Sequence, residues 1–183
     1  AYPLSWTLGG TTQAEETLIV PSNVLNIDTS GSQVNAGSGT IECEVFIEDK
    51  HKSSNYIGEI ISQMNLAPKN HIRIGIAENT LRTITGNSVG TVTSVYTPIS
   101  GVNKGWNKVG NKWAWDNLSL YKNGIIQGTP NISPYLPSGY ETFLVGGLNF
   151  TPKYQFNGII KNVVISRPKR TDSNISNRAL QPS

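Results

Sequence analysis

Residues Gly105 to Ile126, GWNKVGNKWAWDNLSLYKNGII, leave the backbone few choices. Trp106 and Val109 belong to one strand, Trp115, Asp116 and Asn117 form a hairpin tip, and Leu118, Leu120 and Tyr121 return as a second strand. Asn123-Gly124 then turns the chain into a third strand that begins at Ile125 and Ile126. Asn-Gly between alternating apolar runs is a strong hairpin signal, because both residues tolerate the positive φ that a type I′ turn requires. The stretch is therefore a β-meander.

The same pattern continues on both sides of it. Period-two segments bounded by turn residues predict strands at Thr17–Val20, Val24–Ile27, Thr40–Ile47, Glu59–Gln63, His71–Ala77 and Leu81–Thr85. Further strands are expected at Thr91–Tyr96, Trp106–Trp113, Leu118–Lys122, Ile125–Gln127, Thr142–Val145 and Phe156–Arg167. About a dozen short strands without sustained helical periodicity point to an all-β protein, a two-sheet antiparallel β-sandwich. Thr171–Leu180 is expected to add one short helical turn, capped by Thr171 or Asp172, with Ile175 and Leu180 packing back. At 183 residues and 37% apolar content, the chain supports one core, so residues 1–183 are expected to form a single domain with 168–183 as a tail.

The order of these segments resembles laminin-G-like domains of the concanavalin A-like superfamily. The resemblance rests on Gly105, Trp106, Val109, Asp116, Leu118, Leu120, Tyr121, Asn123 and Gly124. It continues in Phe143-Leu144-Val145-Gly146-Gly147, in Phe156-Asn157-Gly158-Ile159-Ile160 through Ile165, and upstream in Val20-Pro21-Ser22 and Gly39–Ile47. It implies a concanavalin A-like jelly roll and places Trp106 on the family's core tryptophan. It does not imply one function, since that sandwich hosts lectins, adhesion modules, glycosidases and passive structural domains.

Composition narrows the classes of partner. Only 15% of residues are charged, and 15 Lys and Arg are offset by 12 acids along the chain. No cationic stripe with interleaved aromatics exists, so nucleic acid is not an expected partner. Nor does the sequence contain a run of 18 apolar residues, so no membrane insertion is expected. Nineteen Asn among many Ser, Thr and Gly give a neutral, hydrogen-bonding surface. Four Asn-x-Ser/Thr triplets, at Asn117, Asn131, Asn149 and Asn174, are close to the number that such a composition gives by chance. Cys43, the single cysteine, alternates with Ile41, Val45 and Ile47 and reads as a buried small hydrophobe. The chain opens at Ala1 without Met, which suggests a processed product or a module excised from something longer.

Catalytic readings lack parts. Glu42, Glu44 and Glu48 share one strand face, as glycosidase carboxylates on this kind of sandwich would. ECEVFIE nevertheless lacks a central Asp and has the wrong outer spacing, so solvated carboxylates on an outward face explain it. His51 and His71 form no HExxH pattern, and His71 reads as a partly exposed strand residue. Calcium requires six to eight oxygens. Asp116 beside Asn117 at the hairpin tip is the best start for such a shell, but turn chemistry accounts for both residues. No cofactor is expected, and Ca²⁺ is possible without being indicated.

Sugar recognition sets aromatic faces against the apolar side of a ring and planar polar groups against its hydroxyls. The candidate aromatics are Trp113, Trp115, Tyr96, Tyr135, Tyr140 and Tyr154. The ligand-binding set chosen is Trp113, Trp115, Tyr135, Tyr140 and Tyr154, because the two tryptophans flank one residue and the tyrosines lie in or beside Gly- and Pro-rich loops. The expectation is a non-catalytic recognition module on an extracellular or virion, phage-tail or adhesin surface, with cell-surface carbohydrate or another host-surface receptor as partner. A structural decoration domain that contacts sister subunits is the alternative, and a glycoside hydrolase of the same fold is the second.

Overall fold

The computed structural model describes residues 5–7, 38–64, 71–137, 143–147, 154, 156–166 and 172–179. The strands expected at Thr17–Val20 and Val24–Ile27 lie outside them. Eleven strands run in chain order among the described residues: β1 Ser5–Thr7, β2 Ser38–Ile47, β3 Ile57–Met64, β4 His71–Ala77, β5 Thr80–Gly86 and β6 Val92–Pro98. They continue as β7 Gly105–Ala114, β8 Asn117–Lys122, β9 Ile125–Asn131, β10 Phe143–Val145 and β11 Ile159–Ser166. A single 3-10 turn, Asp49–Lys52, separates β2 from β3. The tail holds a helix α1, Asp172–Ala179, of two turns rather than the expected one.

The strands form two antiparallel sheets, β1-β11-β2-β7-β8-β9 and β10-β3-β4-β5-β6. This is the all-β sandwich that the alternation predicts. The Asn-Gly turn behaves as expected, with Asn123 at φ 49° and Gly124 at φ 80°. Asn123 further secures it: its N–H donates to Lys108 O at 2.7 Å, and its side-chain Oδ1 accepts from Lys108 N–H at 2.8 Å. Glu78 and Asn79, at φ 50° and 64°, make a second two-residue hairpin between β4 and β5, which composition alone does not announce.

Ile41, Cys43, Val45 and Ile47 of β2 face Ile72, Ile74 and Ile76 of β4, with Val109, Trp113, Leu118 and Leu120 completing the other wall of the core. Cys43 is buried as expected, and burial pushes its thiol well above the usual range, so it stays protonated. Polar side chains also enter the interior, Gln63, Thr83, Thr85 and Asn111 among them; Asn111 shows how one is satisfied. It is fully buried, its amide donates to Thr83 Oγ1 at 2.8 Å, and the Thr83 hydroxyl donates to Arg73 O at 3.1 Å, which ties one sheet to the other.

Three expectations about individual residues are corrected. Trp106 is not the core tryptophan. It lies on the outer face of its sheet, 44% exposed, edge-on to Phe46 and beneath Lys161 Nζ at 4.2 Å. Trp113, seven residues later and therefore of opposite parity, takes the core position at 0% exposure. Glu42 and Glu44 do point away from the core, yet both are buried rather than solvated. Lys108 and Lys161 flank Glu44 at 3.6 and 3.1 Å. His71 is likewise buried, because Gly86 opposite it leaves room for the ring: a Cβ there would fall 2.7 Å from His71 Cε1.

Helix α1 closes on the outer face of the six-stranded sheet. Asp172 accepts from Lys112 Nζ and from Tyr121 OH, Ser176 Oγ donates to Gly124 O at 2.7 Å, and Ile175 is buried as the sequence predicts.

Candidate functional site on the outer face of the five-stranded sheet

The outer face of the second sheet is built in cross-strand rows. Glu59 of β3 stands opposite Gly75 of β4, which stands opposite Arg82 of β5, which stands opposite Tyr96 of β6. The neighbouring row runs Ser62, Arg73, Ile84 and Ser94. Gly75 is essential to the arrangement, because a Cβ there would lie 2.2 Å from Glu59 Oε2. The gap it leaves lets the carboxylate lie across β4. Arg73 Nη1 and Arg82 Nη2 both donate to Glu59 Oε1 at 3.2 Å.

Glu59 is 1% exposed, whereas the two guanidiniums keep their outer parts in water. One buried carboxylate thus organises two cations, and its Coulombic attraction offsets part of the desolvation that lowers the Arg73 pKa. Beside this triad lies an open groove of about 250 Å³, lined by Glu78, Thr80, Arg82, Ile84, Ser94 and Tyr96. Tyr96 is 62% exposed at its border. The lining therefore combines an aromatic ring, a guanidinium, a carboxylate, two hydroxyls and one aliphatic side chain. Such a surface can stack on one face of a flat ligand while giving and accepting hydrogen bonds at its edge.

The chosen binding residues do not converge. Trp113 is corrected from ligand contact to core, since at 0% exposure it can touch nothing outside. Trp115 is 79% exposed at the β7–β8 turn on the other sheet. Tyr135 is half-exposed beside β6, where its N–H donates to Thr93 Oγ1 at 2.9 Å. Tyr154 is half-buried and interacts electrostatically with Arg73. Tyr140 lies outside the described residues. Glu59, Arg73 and Arg82 escaped the sequence reading. The usable signal was the alternation of β4 and β5, which puts both arginines on the polar face of adjacent strands.

No group of three or more His, Cys, Asp or Glu side chains that could hold a metal ion occurs among the described residues. Among them, too, no helix is long and apolar enough to cross a membrane.

No family model matches the sequence, and no curated protein matches it. Solved structures do. The botulinum neurotoxin serotype D binding domain superposes with a TM-score of 0.62 at 12% identity, over 81% of this chain and 36% of that one. The receptor-binding domain of the botulinum neurotoxin C/D mosaic serotype gives 0.60 at 13% identity, over 87% and 38%. The serotype D ligand-binding domain in complex with N-acetylneuraminic acid gives 0.60 at 12% identity, over 80% and 37%. The chain thus spans less than two fifths of those chains' length. At such identities the likeness is one of fold: this is a β-sandwich of the kind those binding domains contain.

Proposed function

We propose that this chain is a non-catalytic recognition module displayed on an extracellular or particle surface, and that it binds cell-surface carbohydrate on the outer face of its five-stranded sheet. One observation carries the reading: the open groove in which Tyr96 offers a ring face beside Arg82, Ser94, Thr80 and Glu78. Carbohydrate uses that combination, because a pyranose has an apolar face and a rim of hydroxyls that both donate and accept. Tyr135 and Tyr154 are secondary contacts beside this face, whereas Trp115, at the β7–β8 turn of the other sheet, would meet a ligand only apart from the groove. The neighbours in fold are receptor-binding domains, one of them in complex with a sialic acid, which supports a binding rather than a catalytic role.

A glycosidase reading loses support from the surroundings of Glu42 and Glu44. Both are buried, and the latter is flanked by two lysines, whereas a catalytic carboxylate needs a sugar subsite open above it. The assembly reading draws on a different observation. Val89, Val92, Ile125 and Ile132 are exposed on and around β6 and β9, one edge strand of each sheet, and contacts with sister subunits would cover them.

Purified domain on a glycan array at pH 7.5 tests the proposal. The expected result is binding to a defined glycan set that Tyr96→Ala weakens at least tenfold without changing the thermal midpoint. Absence of any glycan signal, or binding that Tyr96→Ala leaves unchanged, overturns it.

A further inference from the structure

His51 sits in the 3-10 turn after β2, fully buried, with both ring nitrogens in use. Glu48 N–H donates to Nδ1 at 2.9 Å, and Nε2 lies 2.7 Å from Asn157 O. An amide N–H can only donate and a carbonyl can only accept, so these partners require the neutral ring with its proton on Nε2. Phe156 stacks on the ring at 4.7 Å between centroids, and Tyr56 meets it edge-on at 4.9 Å.

Asn157 is held from further directions. Its N–H donates to Tyr56 Oη at 3.0 Å, and Lys50 Nζ donates to its Oδ1 at 3.2 Å. Phe156 N–H donates to Gly146 O, and Gly146 N–H to Ile60 O, so the corner is bound to β3 as well. Gly158 is needed for the close approach, since a Cβ there would lie 2.6 Å from Phe156 Cε1 and 3.1 Å from His51 Cε1. Three residues before Asn157 stands Tyr154, which interacts electrostatically with Arg73 of the outer-face site.

A second ring proton would set Nδ1–H against the Glu48 N–H and remove the acceptor that anchors the turn. Nε2–H could still donate to Asn157 O, so the corner is freed only when the charged ring, fully buried against Phe156 and Tyr56, leaves that seat for water. Burial is the main influence that holds the ring below its ordinary pKa. The Asn157 carbonyl works against that depression, Lys50 adds to it, and Glu48 opposes it more weakly. Tyr56 carries no charge near neutrality, because burial pushes its hydroxyl up, and Glu59 acts on Tyr56 from β3.

We propose that His51 is a pH-sensitive latch: neutral, it clamps the Phe156–Gly158 corner to the 3-10 turn, and when protonated in mildly acidic medium it leaves its buried seat and releases that corner. Regulation of a binding site by this release rests on the carbohydrate reading above, whereas the latch itself does not.

Hydrogen exchange of the intact chain at pH 7.5 and 5.0, normalised to intrinsic rates, is the test. The amides of Phe156 and Asn157 should lose at least tenfold protection at pH 5.0, while those of β7 and β8 keep theirs. In His51→Gln, which retains a side-chain donor and cannot titrate, protection of the corner should not depend on pH. Equal protection at both pH values, loss in step with β7 and β8, or loss that persists in His51→Gln each overturns the latch. An NMR titration of the two histidines in the unaltered protein gives a second measurement independent of any variant: a His51 midpoint at or above the ordinary value of 6.5 also overturns it. A blank glycan array with a pH-dependent corner removes the carbohydrate reading alone, and a positive array with a pH-independent corner removes the latch alone.

Discussion

Trp106 and Trp113 differ by an odd number of positions on one strand, so one had to face the core and the other away from it. The core received the residue whose neighbours across the sheet are Gly39 and Leu118, and Trp106 was left outside against Phe46 and Lys161. The energetic consequence is sharp. Trp113→Ala should cost roughly 3–5 kcal/mol of unfolding free energy, because it removes the largest fully buried side chain among the described residues. Trp115→Ala should stay within about 0.5 kcal/mol, since the ring is 79% exposed in the folded protein. Urea titration of both variants checks the pair, and equal losses would show that the two rings have been assigned to the wrong sides.

Turns and strand rows carry the next layer. Asn123 holds a left-handed conformation and links Lys108 to Asn107 through its side chain, so Asn123→Ala should cost about 1–2 kcal/mol, and Asn123→Gly less. The Glu59 row behaves differently, because its charge is buried and shared. Glu59→Gln keeps the shape but leaves two guanidiniums facing one another without an anion. As their outer ends reach water, the expected loss is at the low end for a broken buried pair, about 3 kcal/mol, read from the thermal midpoint. Arg82→Gln in the Glu59→Gln background should then cost less than it does alone, since the repulsion has gone. Strictly additive losses would mean that the three groups do not act as a unit.

For the complete sandwich, His51 makes stability depend on pH. Its folded pKa lies below the ordinary value, so the unfolded chain binds the proton more readily. The stability it contributes is present above pH 6.5 and is lost as pH falls through that value toward the lower folded pKa. Thermal unfolding between pH 7.5 and 5.0 should show a falling midpoint, and His51→Gln should flatten that slope. An unchanged slope in the variant would place the dependence elsewhere. On this larger view the sandwich was readable in advance, because period-two alternation survives in almost every strand and Asn123-Gly124 pins one register. The candidate site was readable only in parts. Arg73 and Arg82 sit on polar faces that alternation identifies, but their convergence on Glu59 comes from three strands and a glycine at position 75.

Local chemistry in the chain was enough to establish the two-sheet architecture, the inward run of Ile41, Cys43, Val45 and Ile47, the type I′ turn at Asn123-Gly124 and the burial of Ile175. Each depends on side-chain period or on a backbone angle, and both are properties of neighbouring residues. Which tryptophan fills the core, why Glu42 and Glu44 are buried, where His51 anchors Asn157 and how one carboxylate gathers two arginines were settled only when distant strands came together. Those outcomes depend on register between strands and on space left by glycines opposite bulky groups, and neither quantity is present in any single segment.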